Sequence, residues 1–296
     1  MAAIGEGCSV ARLMGFRGNG ALARLLPLRD AAGGDDIFLI QASTSLEKLK
    51  VLCEEDEENV NPSILIKLYT QAILDMTYYE ENKLVDEDFP EDTSLPKVKE
   101  LITILSEPEV AVKETNMHAK HSDMLGPELL ECLYWRRGAL LYMYCHTVTA
   151  REEWQSTNTA VLKKCLTDGV NYLLQMFDFR CPPQLNEDVS FQDMDTAKLL
   201  SEGVFSDTHL LAMMYSGEMC YWGLKYCVNE DPENCDIDIN GPGTSSTSLE
   251  ESLDFREIGE KILRKYISIC EGPLKGQSWN TTNAKQILDF FQHCHH

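Results

Sequence analysis

The chain has 296 residues, 44% of them hydrophobic, and 26 Lys and Arg stand against 48 Asp and Glu, a formal net charge of -22. A surface that negative repels phosphate backbones and anionic headgroups, which argues against general nucleic-acid binding and favours a protein partner with a basic or apolar face. Eleven scattered cysteines without a C-x-x-C pair suit free thiols in a reducing cytosol better than a disulfide framework.

Residues 1–34 read as a disordered Arg/Gly-rich leader. Arg12, Arg17, Arg24 and Arg29 stand with Glu6 as the only acid before Asp30, and Gly15, Gly18, Gly20 and Pro27 work against a long helix. An organelle transit peptide has the same basic, acid-poor character and is the functional alternative. From residue 35 to 296 an all-helical domain is expected. Ile37, Ile40, Leu46, Leu49 and Leu52 recur at helical intervals up to Cys53. Asn61-Pro62 is a helix start, Asn as N-cap and Pro at the first position, for a helix from Ser63 to Lys83. An acid-rich loop, Val85 to Asp92, follows around Phe89-Pro90, and then a shorter helix, Leu95 to Leu105, closed by Pro108.

Pro127 to Thr149 is helical by pattern and apolar almost all round its second half, the mark of a central buried helix. Its charge-free run after Arg137 lasts about 13 residues, against the roughly 20 that a bilayer needs, so no integral membrane span is expected. Further helices are predicted over Thr159–Phe179, from Phe191 and Asp193 through Leu200, and from a Ser206-Asp207 cap through His209–Cys227. Residues 229–249, with Pro232, Gly241, Pro242, Gly243 and a Ser/Thr run, read as a flexible acidic loop. Leu253–Cys270 and Thr282–Gln292 complete an all-α fold of about nine or ten helices, with stacked helical hairpins as one arrangement.

Chemistry-bearing motifs are incomplete. Gly18-x-Gly20-x-x-Ala23 imitates a dinucleotide fingerprint but lacks the preceding strand. Asp236-x-Asp238-x-Asn240-Gly241 copies half a calcium loop, but its twelfth position is Thr247 where a bidentate Glu is needed. His118, His121 and the terminal His293, Cys294, His295 and His296 do not supply the paired spacing of a zinc site. Arg136 and Arg137 could act as a finger on a GTPase, but such arginines more often pair with acids on adjacent helices. No cofactor, metal or catalytic residue is therefore assigned.

Two segments are candidate docking elements. Leu84, Val85 and Phe89 are apolar residues in an acidic loop, able to enter a basic-rimmed groove or to anchor the loop on its own core. In Asp254-Phe255-Arg256-Glu257-Ile258 the pair Phe255 and Ile258 has the aromatic-x-x-aliphatic form of peptides that add a strand to a partner sheet. The alternative is the opening of an amphipathic helix with Phe255, Ile258 and Ile262 on its core face.

Longer strings carry a family resemblance: LYTQAILDMTYYEENKLVDEDFPED at Leu68–Asp92, LLECLYWRRGALLYMYCHT at Leu129–Thr147 and HLLAMMYSGEMCYWGLKYC at His209–Cys227. LDFREIGEKILRKY at Leu253–Tyr266 and WNTTNAKQIL at Trp279–Leu288 extend it. Over about residues 35 to 296 the chain resembles the Rab-interacting subunit of the Mon–Ccz exchange-factor complex; the first 30 or so residues depart from the pattern. The resemblance implies a cytosolic, non-catalytic adaptor. It would bind the late-endosomal Rab-seven GTPase, with the GDP form preferred, and the Mon–Ccz complex. It would control the stability of that Rab and its recruitment to damaged mitochondria in mitophagy. The rival readings are a scaffold touching only the exchange complex, and an enzyme with an unrecognised cysteine or metal site, which a low-pKa thiol beside His146 or His209 would revive.

Overall fold

The computed structural model describes residues 9–55, 61–115, 120–151, 158–179, 206–227 and 253–293. These residues form ten helices and no strand: α1 (Val10–Ala31), α2 (Ile37–Glu55), α3 (Pro62–Asp86), α4 (Ser94–Thr115), α5 (His121–Leu125), α6 (Pro127–Thr149), α7 (Thr159–Met176), α8 (Asp207–Cys227), α9 (Phe255–Glu271) and α10 (Thr282–His293). The all-α expectation holds. The helix expected between Phe191 and Leu200 and the loop at 229–249 lie outside the described residues. The chain gathers into two compact units, one from residues 1–147 with 175–182, the other from 148–174 with 183–296.

In the first unit α1 to α4 stack as successive antiparallel partners. Gly15 and Gly18 of α1 face Cys53 and Leu49 of α2, Phe38 of α2 meets Tyr78 of α3 with ring centroids 4.4 Å apart, and Lys97 of α4 reaches Glu80 of α3 at 2.5 Å. The expected disordered leader is corrected by α1. Met14, Gly18, Ala21 and Leu25 form a buried stripe at helical spacing, and Ser9 caps the start by accepting from the Arg12 N–H. Burial of that stripe overrides the weak propensity of three glycines and Pro27. At Gly18 the helices approach tightly: a Cβ there would stand 3.0 Å from Leu49 Cδ2. Of the three glycines in α1 only Gly18 makes a tight approach to α2; a Cβ at Gly20 would meet open space.

The second correction is Pro108, which lies buried inside α4 instead of closing it. Proline gives no N–H to the carbonyl four residues back and opens the turn around it. The carbonyl left without its donor is that of Ile104; one residue on, Arg137 of α6 donates to the Leu105 carbonyl at 2.6 Å and pairs with Glu109. α4 runs on to Thr115 with α6 bracing the turn before the proline.

In the second unit the successive pairs α8–α9 and α9–α10 are antiparallel. Gly217 lies against Leu263, Gly223 against the Phe255 ring, and Gly259 against the Phe291 ring. The Asp254 carboxylate caps α9 by accepting from the Arg256 and Glu257 N–H groups, both at 3.0 Å. At the start of α8, His209 Nδ1 accepts from the Ser206 N–H at 3.0 Å while the His209 N–H reaches the Ser206 carbonyl at 3.0 Å, a reciprocal cap with His in the usual place of Glu.

Candidate partner-binding surface

The acidic turn after α3 is a helix end with a defined geometry. The Phe89 N–H donates to the Leu84 carbonyl at 2.9 Å and the Asp88 N–H to the Val85 carbonyl at 3.0 Å, the paired bonds of a Schellman motif. Asp88 takes the left-handed position usually filled by Gly, at φ 52°, and Phe89 follows at φ 48°. The motif brings an apolar pair together across the helix end, and both members are inward: Leu84 is 6% exposed and Phe89 2%. Phe89 meets the Tyr144 ring edge-to-face at 6.0 Å. Of the three apolar candidates in this loop only Val85, 44% exposed, faces outward, amid the exposed Asp86, Glu87, Asp88, Glu91 and Asp92. It borders a recess of about 220 Å³ that Asp88, Tyr142, Met143 and His146 help to line.

Phe255 and Ile258 sit on the first turn of α9. Phe255 is 7% exposed and its ring occupies the space a side chain at residue 223 would need. Ile258 is half-buried. Presenting this pair as a strand would require unwinding α9 and vacating the Gly223 notch, so the amphipathic-helix reading describes the structure, with Phe255 and Ile262 as its core residues. The two candidate segments belong to different units.

Arg136 and Arg137 are structural pairs. Arg136 bonds Glu81 at 2.8 Å and the Leu74 carbonyl at 3.3 Å, and its guanidinium lies 4.9 Å from the centroid of the Tyr78 ring. Glu81 is deeply buried, and that burial pushes its carboxyl up despite the opposing charge of Arg136. Neither arginine is presented to a partner's phosphates: Arg137 is 3% exposed.

Sequence periodicity does not reveal the ion cluster between α1, α3 and α4. Arg24 forks onto Glu107 at 2.6 and 2.7 Å, the Tyr69 hydroxyl donates to the same carboxylate, and Arg17 bonds Glu114 at 2.5 Å. Burial works against charge on Glu107, but the hydrogen bonds from Arg24 and Tyr69 outweigh it and hold the carboxyl below the usual glutamate value. Burial and the bond to Glu107 push the Tyr69 phenol up to about 12. Residues of opposite charge scattered over the first 114 positions meet only once α1 is folded. Their one signal is that arginines occur in α1 without neighbouring acids to pair with.

Four groups that the enzyme reading would draw on are otherwise disposed. Burial pushes the thiols of Cys53, Cys132 and Cys270 up, the last to about 11. The Nδ1 atom of His209 is held by its helix cap. Among the described residues no three His, Cys, Asp or Glu side chains gather as metal ligands do, and no helix is long and apolar enough to cross a membrane.

With this geometry in hand, comparison with known proteins decides the family. The model of the family described as RAB7A-interacting MON1-CCZ1 complex subunit 1 matches residues 38–292. This chain belongs to that family. Proteins of that description from Homo sapiens and Mus musculus are 67% identical over 285 residues, covering 96% of this chain and 97% of the relative, and 66% identical over 275 residues, covering 93% and 94%. One from Danio rerio is 50% identical over 258 residues, covering 87% of this chain and 89% of the relative. The match to the Homo sapiens relative, over 285 of 296 residues, extends into α1, whereas the family model begins at residue 38, after that helix. No solved structure matches the chain.

Proposed function

We propose that this chain is a non-catalytic adaptor that binds the late-endosomal Rab-seven GTPase, with the GDP form preferred, together with the Mon–Ccz exchange complex. The observation that carries the reading is the 67% identity, over nearly the full length of both chains, to a relative named for interaction with RAB7A and membership of the MON1-CCZ1 complex. Two observations agree: His209 Nδ1 is held in a helix cap and burial raises the thiols of Cys53, Cys132 and Cys270, while Val85 and a belt of carboxylates face outward. Binding the GDP form would stabilise it by mass action. Selectivity between nucleotide states would come from the GTPase's switch segments, whose order depends on the γ-phosphate. In this reading the adaptor resides in the cytosol, protects the Rab from degradation and accompanies it to damaged mitochondria in mitophagy.

Calorimetric titration of the purified chain with the Rab, loaded with GDP or with a GTP analogue, tests the proposal. Tighter binding to the GDP form supports a direct, state-selective adaptor. Absence of binding to either form, with retained binding to the exchange complex, replaces it with a scaffold whose effect on the Rab is indirect.

A further inference from the structure

α1 carries a charge pattern unlike that of the rest of the chain. Residues 9–29 hold Arg12, Arg17, Arg24 and Arg29 and no acid, in a chain of net charge -22. Its inward side chains Met14 and Leu25 join one core cluster with Leu49 of α2, Tyr69 of α3 and Leu105 of α4. Three of the arginines reach other helices: Arg17 to Glu114 and Arg24 to Glu107, both on α4, and Arg29 to the Ser43 hydroxyl of α2 at 3.2 Å. Among the described residues the ion pairs of Glu107 and Glu114 are with α1 alone. Without α1, helices α2 to α4 would therefore present an apolar floor edged by two carboxylates that have lost their cations.

The hold on that floor is of a reversible kind. Gly15, Gly18, Gly20 and Pro27 give α1 poor intrinsic helix propensity, so it is helical because it is seated. The Arg24 and Glu107 side chains stay 34% and 25% exposed, within reach of water and salt. α1 joins α2 through Gly33 and Gly34, at φ 72° and 90°, with open space where their side chains would be. A glycine pair there swings to other conformations at no steric cost. The family match begins at residue 38, past this turn, so the floor and both carboxylates lie inside the matched residues and α1 outside them.

We propose that α1 is a strap lying in a docking seat for an arginine-bearing amphipathic helix of a protein partner, which takes the seat by displacing it. α1 itself shows the chemistry that fits: an apolar face with Arg17 and Arg24, about two turns apart, set over two carboxylates. An acidic helix or a phosphate-bearing ligand meets like charge at Glu107 and Glu114. The proposal rests on the adaptor reading, which supplies the partner, and adds its control. A tethered occupant competes at high effective concentration, so the affinity for the partner is set by how often the strap is open.

Gly15 offers a lock. A Cβ there would stand 3.7 Å from the Cys53 Cβ, a separation that a disulfide spans, so G15C is closed by oxidation and freed by reductant, with G15C/C53S as the form that cannot lock. R17Q/R24Q loosens the strap and leaves the seat carboxylates in place. The probe is a fluorescein-labelled peptide of residues 9–31, added to the full chain and followed by anisotropy, with its R17E/R24E form as control. The expected result is binding of the unsubstituted peptide alone, at least about fivefold tighter to R17Q/R24Q than to the parent, and lost when G15C is added to that variant and oxidised. Should R17Q/R24Q fold poorly, native-state hydrogen exchange of the parent decides: α1 amides should exchange together, through an opening that leaves α3 protected. No binding to folded R17Q/R24Q, equal binding of both peptides, binding unchanged by the lock, or α1 exchange only on global unfolding overturns the proposal. Titrating oxidised and reduced G15C with the Rab and with the exchange complex separates the two claims. Weaker binding of one of them by the oxidised form, restored by reductant, is the result expected. Both proteins binding alike in the two states removes the strap and leaves the adaptor; lock-dependent peptide binding with neither protein bound does the opposite.

Discussion

Glu107 serves two donors on different helices, Arg24 of α1 and Tyr69 of α3, and its ionisation is part of how α1 is held. Because its folded pKa lies below the usual 4.5, its contribution is complete above that value and is lost as pH falls through the lower folded one. Glu81 and Asp75 act in the opposite sense: burial raises both carboxyls, so they weigh on the fold at neutral pH and are relieved on acidification. E107Q should therefore cost about 1–2 kcal/mol at pH 7, the scale of hydrogen bonds to a charged group at a partly exposed site. The same variant should lose less stability than the parent on going below about pH 4.5. Denaturant unfolding of both proteins at pH 7 and pH 4 measures the difference, and equal stability at pH 7 would remove Glu107 from this role.

At the level of helices, local chemistry was legible and non-local chemistry was not. The start of α3 follows from Asn61 and Pro62, and the Asn61 side chain accepts from the Ser63 N–H at 2.9 Å, because a cap is settled within a few residues. The apolar character of α6 likewise announced a central element, tied to α3 and α4 by its arginines. α1 was hidden because its glycines and proline vote against helix locally, while the stripe Met14, Gly18, Ala21, Leu25 matters only against α2 and α3. Phe89 was ambiguous for a related reason: an aromatic in an acidic loop reads as bait until the left-handed turn at Asp88 shows it folded inward. Between α8 and α9 the close approach at Gly217 is unforgiving, since an added Cβ would lie 2.3 Å from Leu263 Cδ2. G217A should destabilise by about 1–3 kcal/mol through overpacking, despite the better helix propensity of Ala. A thermal melt of that variant with and without L263A decides the cause; if trimming Leu263 does not shrink the penalty, the crowding account fails.

Across the whole molecule the charge of -22 governs encounter more than grip. Association with the Rab or the exchange complex should slow by roughly an order of magnitude between low salt and physiological salt, while dissociation changes little. Stopped-flow mixing over a salt series reads both rates, and a salt-independent association rate would refute the steering. The Arg137 donor that braces α4 beside Pro108 has a consequence in time. A chain leaving the ribosome presents Pro108 before it presents Arg137, so the second half of α4 has to wait for α6 before it can consolidate. Nascent chains arrested before residue 137 has emerged should be cut readily by protease between 108 and 115, and chains released beyond α6 should resist. R137M should keep that window open in the finished protein, turning a step of biogenesis into a lasting point of attack for cellular proteases.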